Sequence, residues 1–300
     1  MKPILSQRIK NRLERLGHGF FYAVLLAGGQ AGAYLFLYPV VFTYVLCSRR
    51  IHEQTIPYLR RRFPDHNRLE FFLDVFKTVL SFGRVLVDRG WMGLRRTAEL
   101  QGSFPDSERL RNLIGEGRGV VVVLAHVGNW QTCLSRLTDL DARVHSLMEF
   151  DPGQVSKHFF QLRGDMPFTI IDARGYLGGM IEATNALQQG DIVLTMGDRL
   201  HGGRSTQVPF LGAPLLLPVA PYHLAAMARA PLAILFAAKT GRKTYSLTIA
   251  DVLHPGRDGA DRDSELQRCA RRFAAALEKY VEAHPYQWYN FFDIWARQRP

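Results

Sequence analysis

His126 stands directly after the apolar run Val120-Val121-Val122-Val123-Leu124-Ala125 and is followed by Val127-Gly128-Asn129-Trp130-Gln131. A continuous β-branched run of this kind predicts a strand buried on both faces. In open α/β sheets, sites form just beyond the carboxyl ends of such strands. An imidazole there can exchange protons near neutral pH. Asn129 is suited to cap the helix that follows, with Trp130 in its first turn. A helix start aims its backbone N–H groups at the same spot, a ready site for a developing oxyanion. Without its neighbours, a histidine after a strand serves equally to satisfy buried hydrogen bonds.

Gly197-Asp198-Arg199 closes a second expected strand, Asp191 to Met196. Asp198 and Arg199 there form either a local ion pair or part of a site. Arg199 and Arg204 suit a phosphate group, or are solvated loop residues. Phe210 and Gly212 either shape a substrate channel or make a turn. The aromatic group Trp288, Tyr289, Phe291, Phe292 and Trp295 reads first as core and second as a membrane-interface belt. Asp139-x-Asp141 is a spacing common in polar loops. Cys47, Cys133 and Cys269 are too far apart for a disulfide framework or a metal site. No GxSxG, Walker A or HExxH occurs, which disfavours hydrolase, nucleotide-binding and zinc-protease chemistry. We expect neither a metal nor an organic cofactor.

The elements that must position these residues are legible from period and punctuation. Residues 51–98 read as mostly helical, with breaks at Pro57 and Pro64. Glu108 to Ile114, Met180 to Gln189 and residues 222–230 read as helices, and Leu232 to Ala238 and Thr244 to Asp251 as strands. Ser264 to Ala283 is strongly amphipathic, with Leu266, Cys269, Phe273, Leu277 and Tyr280 on one face. The glycines of Gly115-Glu116-Gly117-Arg118-Gly119 precede a strand, so they mark a turn and not a dinucleotide fingerprint. Alternation of this sort predicts an α/β fold, a mixed, largely parallel sheet flanked by helices.

Gly19 to Ser48 contains no charged residue. Such a run is long enough to span a membrane, but Gly28, Gly29, Gln30, Gly32 and Pro39 interrupt it. Basic residues flank both ends, among them Arg12, Arg15, Arg49, Arg50 and Arg60 to Arg62, which suits a re-entrant or monotopic anchor on the cytoplasmic leaflet, with a buried core helix pair as the alternative. We divide the chain into a membrane anchor, residues 1–50, and a domain of residues 51–300. The formal charge of +11 fits an anionic membrane surface. No nucleic-acid signature accompanies it, so nucleic acid is not expected as a partner.

The segment from His126 to Gln131 resembles the HxxxxD/E motif of the lysophospholipid acyltransferase superfamily. It is most similar to the lipid A late acyltransferases, which commonly read His-Phe/Val-Gly-Asn-Trp-Glu. Gly197-Asp198-Arg199, Val208-Pro209-Phe210-Leu211-Gly212-Ala213-Pro214 (like the family's phenylalanine–glycine loop) and Pro285-Tyr286-Gln287-Trp288 resemble further blocks in the same order. The resemblance implies a glycerol-phosphate-acyltransferase-like fold at the inner, cytoplasmic membrane. It implies acyl transfer from an acyl carrier protein or acyl-CoA to a hydroxyl or amine of an envelope lipid acceptor. It assigns His126 as base, with Gly128, Asn129, Trp130, Arg199, Arg204, Phe210 and Gly212 around the substrates. Gln131 departs from the pattern: the family's carboxylate holds the imidazole and stabilises the imidazolium, whereas the glutamine carbonyl can accept the ring N–H but brings no charge. Asp198 is the preferred substitute and Glu149 the second. A catalytically weak relative that binds acyl chains or lipids within a lipid-assembly system is the alternative.

Overall fold

The computed structural model describes residues 2–94, 101–131, 137, 140–149, 168–200, 202–256 and 261–296, with side chains from Phe21 onward. Three helices come first: α1 (Lys2–Cys47), α2 (Arg49–Arg62) and α3 (Arg68–Leu94). Strands and helices then alternate: β1 (Gln101–Ser103), α4 (Ser107–Ile114), β2 (Val120–Leu124), β3 (Val144–Met148), β4 (Thr169–Asp172), α5 (Met180–Gln188) and β5 (Ile192–Met196). After them come β6 (Ser205–Phe210), β7 (Ala213–Pro218), α6 (Ala220–Ala228), β8 (Leu232–Lys239), β9 (Thr244–Leu253) and α7 (Arg262–Ala283).

The main sheet runs β1-β9-β8-β2-β5-β3-β4 and is parallel except for the β8–β9 pair. This is the mixed, largely parallel sheet that the alternation predicts. β2 is central, between β8 and β5. Val121 and Val123 feed one core with Leu187 of α5 and Phe273 of α7. Val120, Val122 and Leu124 feed the other with Leu110 of α4 and Leu137. Burial on both faces is why the run is unbroken valine and leucine.

β6 and β7 form a separate hairpin that the sequence reading does not contain. It turns through Leu211 (φ 48°) and Gly212 (φ 71°) between the paired Phe210 and Ala213. Positive φ at both central residues gives the two-residue turn that matches the twist of the strands.

Pro57 does not break its helix, contrary to expectation. It lies inside α2, and the break falls after Arg62, around Pro64. Tertiary bonds hold α2 across the missing N–H. The Tyr58 hydroxyl donates to Pro285 O at 2.7 Å, and Arg62 donates to the carbonyls of Val281 and Glu282.

The interruptions in α1 reduce to one. Only Gly29 (φ 61°, ψ −168°) leaves helical geometry, and Trp91 packs against it. The second half of α1 lies along α3. Phe21–Cys47 is long and apolar enough to cross a membrane, with Leu35, Phe36, Phe42 and Leu46 exposed.

A buried polar knot ties α1 to the sheet. Asp88 of α3 is fully buried. Its Oδ1 accepts from Gln30 Nε2 at 2.6 Å and from the Tyr34 hydroxyl at 2.7 Å. Its Oδ2 accepts from Lys239 Nζ at 2.7 Å and from the Tyr245 hydroxyl. Four donors satisfy a carboxylate that would be costly to bury alone.

Candidate active site

β2 and β5 are adjacent and in register, Leu124 opposite Met196, so the residues after each strand emerge together. His126 follows β2 and Asp198 follows β5. The Nδ1 of His126 lies 2.8 Å from Asp198 Oδ1. Asp198 Oδ2 accepts from the His126 backbone N–H and from Trp288 Nε1, both at 3.0 Å. An ionised carboxylate only accepts, so Nδ1 carries the proton and Nε2 is left as the basic nitrogen.

Asp198 is fully buried. Burial by itself would raise its pKa. The charge and hydrogen bonds of His126, with the Arg199 charge, outweigh burial and hold the carboxyl well below the usual carboxylate range. Gly197 makes its approach possible: a Cβ there would lie 2.6 Å from Val123 Cγ1 and 2.9 Å from the Phe273 ring.

The segment after α7 zips against the histidine loop. Tyr289 N donates to His126 O and Gly128 N to Gln287 O, both at 2.9 Å, and Val127 bridges Trp288. Gln287 in turn clasps Lys239 at the end of β8, Oε1 accepting from its N–H and Nε2 donating to its carbonyl. Trp288 is wedged edge-on between Tyr58 and Phe210, with ring centroids 5.0 Å and 5.3 Å away. Its environment is core, as first expected, but its indole N–H is part of the site.

Gly128 does not direct its N–H at a substrate as expected, because that group is bonded to Gln287. Its glycine identity has another cause. Its φ is +49°, and a Cβ would sit 1.9 Å from Ala237 O. Asn129 directly precedes the helical Trp130 and Gln131 and is fully buried. Its Oδ1 accepts from Arg89 Nε at 2.9 Å.

A cavity of about 340 Å³ opens beside His126, lined by Phe82, Arg89, Trp130, Gln131, Arg199, Tyr289, Phe291 and Phe292. Arg199 Nε donates to Asn290 Oδ1 at 3.1 Å and its Nη2 to Tyr289 O at 2.7 Å, with its guanidinium over the Phe292 ring. Burial lowers the Arg199 pKa, and the Asp198 charge opposes that shift. Trp130 and Gln131 thus meet the cavity beside Arg89 and Arg199.

Other expected site residues lie elsewhere. Arg204 is exposed, pairs with Asp263 at 2.9 Å and does not line the cavity. Phe210 is wholly buried behind Trp288, and Gly212 is the exposed turn of the β6–β7 hairpin. Glu149 is exposed at the end of β3. Asp139 and Cys133 lie outside the described residues.

The sequence reading misses Arg89 and the clasp of Gln287. The signal for Arg89 is an adjacent acid and base, Asp88-Arg89, inside an apolar helical stretch. Gln287 enters that reading only as part of the block Pro285-Tyr286-Gln287-Trp288; its clasp on Lys239 escapes because that partner is 48 residues away.

Residues 61–297 match the family model of the bacterial lipid A biosynthesis acyltransferases. Among solved structures, the 1-acyl-sn-glycerophosphate (LPA) acyltransferase PlsC from Thermotoga maritima is similar, at 13% identity and a TM-score of 0.39, over 84% of this chain and 97% of that one. No curated protein matches the chain.

Proposed function

The chain belongs to the bacterial lipid A biosynthesis acyltransferase family, and on that premise we propose that it moves a fatty acyl group from a thioester to a hydroxyl or amine of a lipid acceptor, with His126 as general base. The observation that carries this reading is the 2.8 Å contact from His126 Nδ1 to the buried Asp198 carboxylate, beside a cavity.

The acceptor O–H or N–H gives its proton to His126 Nε2 as its heteroatom attacks the thioester carbonyl. Asp198 stabilises the imidazolium so formed. The tetrahedral oxyanion develops in the cavity beside Arg89 and Arg199, whose charges favour it. Collapse breaks the C–S bond, and the thiolate takes the proton back from Nε2.

The donor is the thioester of an acyl carrier protein or of coenzyme A, and the product is an envelope lipid. The apolar stretch Phe21–Cys47 with the exposed cations Arg49, Arg50 and Arg60 after it supports a seat on the anionic cytoplasmic face of the inner membrane. Residues 1–50 serve as the anchor and residues 51–300 as the catalytic domain.

The test is thioester consumption and acyl-lipid formation by the full chain in detergent, with each donor in parallel. Wild type turns over, and His126→Ala loses about 10²–10⁴-fold in kcat, the usual worth of a general base. Wild-type rates in His126→Ala would end the reading. Lipid binding without any turnover in wild type would favour a lipid-binding relative.

A further inference from the structure

The parallel strands decide which loops share the cavity's end of the sheet. β8, β2, β5, β3 and β4 all run the same way. The turn after β8, His126, Asp198 and the loop after β4 therefore emerge along one carboxyl rim. Four strand spacings, about 19 Å, separate β8 from β4, with the His126–Asp198 pair between them.

The loop after β4 presents apolar side chains to water. Tyr176 is 77% exposed and Leu177 62%, and Ile181 in the first turn of α5 is exposed beside them. Single apolar residues at a surface are ordinary. These are displayed by a strained and well-tied backbone. Leu177 has φ 50°, a left-handed conformation that leucine rarely adopts, and Gly178 and Gly179 follow it with φ 66° and 70°. Ala173 N donates to Met148 O, Gly175 N to Asp172 O and Gly178 N to Gly175 O, all at about 3 Å. A Cβ on Gly179 would lie 2.7 Å from Ile171 Cγ2, so the base of the loop is pressed onto the sheet.

The turn after β8 is cationic. Arg242 and Lys243 are both exposed. Arg242 O accepts from Lys239 Nζ at 2.8 Å and from the Tyr34 hydroxyl of α1 at 3.1 Å. Leu35 and Phe36, next along α1, are exposed. The apolar helix thus meets the sheet at the rim that carries the site. On α3, Leu86 is exposed one turn from Phe82 and Arg89 of the cavity lining. Among the described residues, the acids of this rim outside the buried pair lie at its β4 end: Glu149 follows β3, and Arg174 faces Asp172 at 3.5 Å.

We infer, resting on the acyltransferase reading above, that this rim is itself a bilayer-docking surface. Tyr176 and Leu177 enter the acyl layer on one flank of the cavity, and Arg242 and Lys243 meet lipid phosphates on the other. An amphipathic ring with an aliphatic neighbour, and cations beside an apolar helix, are the groups an anionic lipid interface binds. α1 reaches the rim only at its β8 end. A second foothold across the cavity turns the mouth towards the bilayer, and a lipid acceptor reaches His126 without crossing water.

The experiment places the full chain in phosphatidylcholine vesicles, with and without phosphatidylglycerol, some made from lipids brominated along the acyl chains. Tyr176→Trp is compared with Arg118→Trp, and wild-type fluorescence is subtracted. Arg118 is exposed just before β2, at the opposite end of the sheet. Bromines should quench the indole at position 176 and leave the one at position 118 bright. Arg242→Gln with Lys243→Gln should remove the extra quenching that phosphatidylglycerol brings. Leu177→Ser should lower kcat/KM by about tenfold to a hundredfold for an acceptor embedded in vesicles, the worth of burying one such side chain. A short-chain acceptor in water should escape that loss.

Equal quenching at the two positions, or none at either, overturns the docking rim and leaves the acyltransferase reading standing. So does a Leu177→Ser loss shared equally by both acceptors. So does an indole at position 176 that is shielded only as protein concentration rises, which would seat a second copy of the chain on the loop. Quenching confined to position 176, with no transfer by wild type to either acceptor, upholds the docking rim and ends the acyltransferase reading.

Discussion

His126 and Asp198 are 72 residues apart in the chain, yet their side chains meet at 2.8 Å because the strands before them are hydrogen-bonded neighbours. The negative charge missing from position 131 is therefore supplied from the next strand. Asp198→Asn tests this. An amide offers a donor where all three partners are donors, so it unseats Trp288 or forces the wrong imidazole tautomer. We expect kcat to fall by about 10²–10⁴-fold with the fold retained. Gln131→Ala leaves the pair intact and should cost less. The reverse order, measured side by side, sinks the assignment.

The depressed Asp198 pKa has a stability consequence with a definite sign. In the unfolded chain this carboxyl titrates near about 3.9. Its stabilising share is complete above that value and is lost as pH falls towards the lower folded value. Chemical unfolding of wild type and Asp198→Asn from pH 6 to pH 3 should show the difference between them shrinking below about pH 4. A difference that stays constant through that window contradicts the ionised, paired state.

Two glycines with positive φ separate strain from collision. A Cβ at Gly117 (φ 74°) meets nothing within 4 Å, whereas one at Gly128 would strike Ala237 O. Gly117→Ala should cost about 1–2 kcal/mol, the left-handed penalty alone. Gly128→Ala should cost more than about 3 kcal/mol, or yield no folded protein, because the β8 backbone must move. Equal melting temperatures for the two would refute the close approach.

The Asp88 knot predicts a rescue. Asp88→Asn leaves the Lys239 ammonium buried without its anion and should destabilise by about 3–5 kcal/mol. Adding Lys239→Met removes that stranded charge and should recover a good part of the loss, as read by denaturant midpoints. Additive losses would show that the pair does not act as a unit.

Much of this was legible where a local pattern carries the physics. The valine run of β2 and the amphipathic α7 stand where the sequence places them, because burial on two faces and on one face leave different periods. His126 and Asp198 are identifiable as strand-end residues for the same reason. Asp198 is preferred over Glu149 as the partner of His126 on that ground alone; strand order, which the sequence does not show, is what puts β2 beside β5 and the two side chains in contact. Trp288 shows how a long-range bond escapes a local reading: its apolar bulk announces core, while its N–H to Asp198 is visible only once the chain folds back. Pro57 fails in the opposite sense, its local veto overruled by bonds from α2 to residues 281–285. The β6–β7 hairpin was hidden because its proline-bearing strands pair only with each other.

The zipper between residues 126–128 and 287–289 sets a timetable for synthesis. A nascent chain that has reached β9 carries His126 and Asp198 but not yet residues 287–289. The Gly128 amide then has no Gln287 to bond, and the Asp198 carboxylate lacks its indole donor. The set of bonds around His126 and Asp198 is complete only once Trp288 has been made. Translation order thus places the last partners of the pair after every described strand and helix.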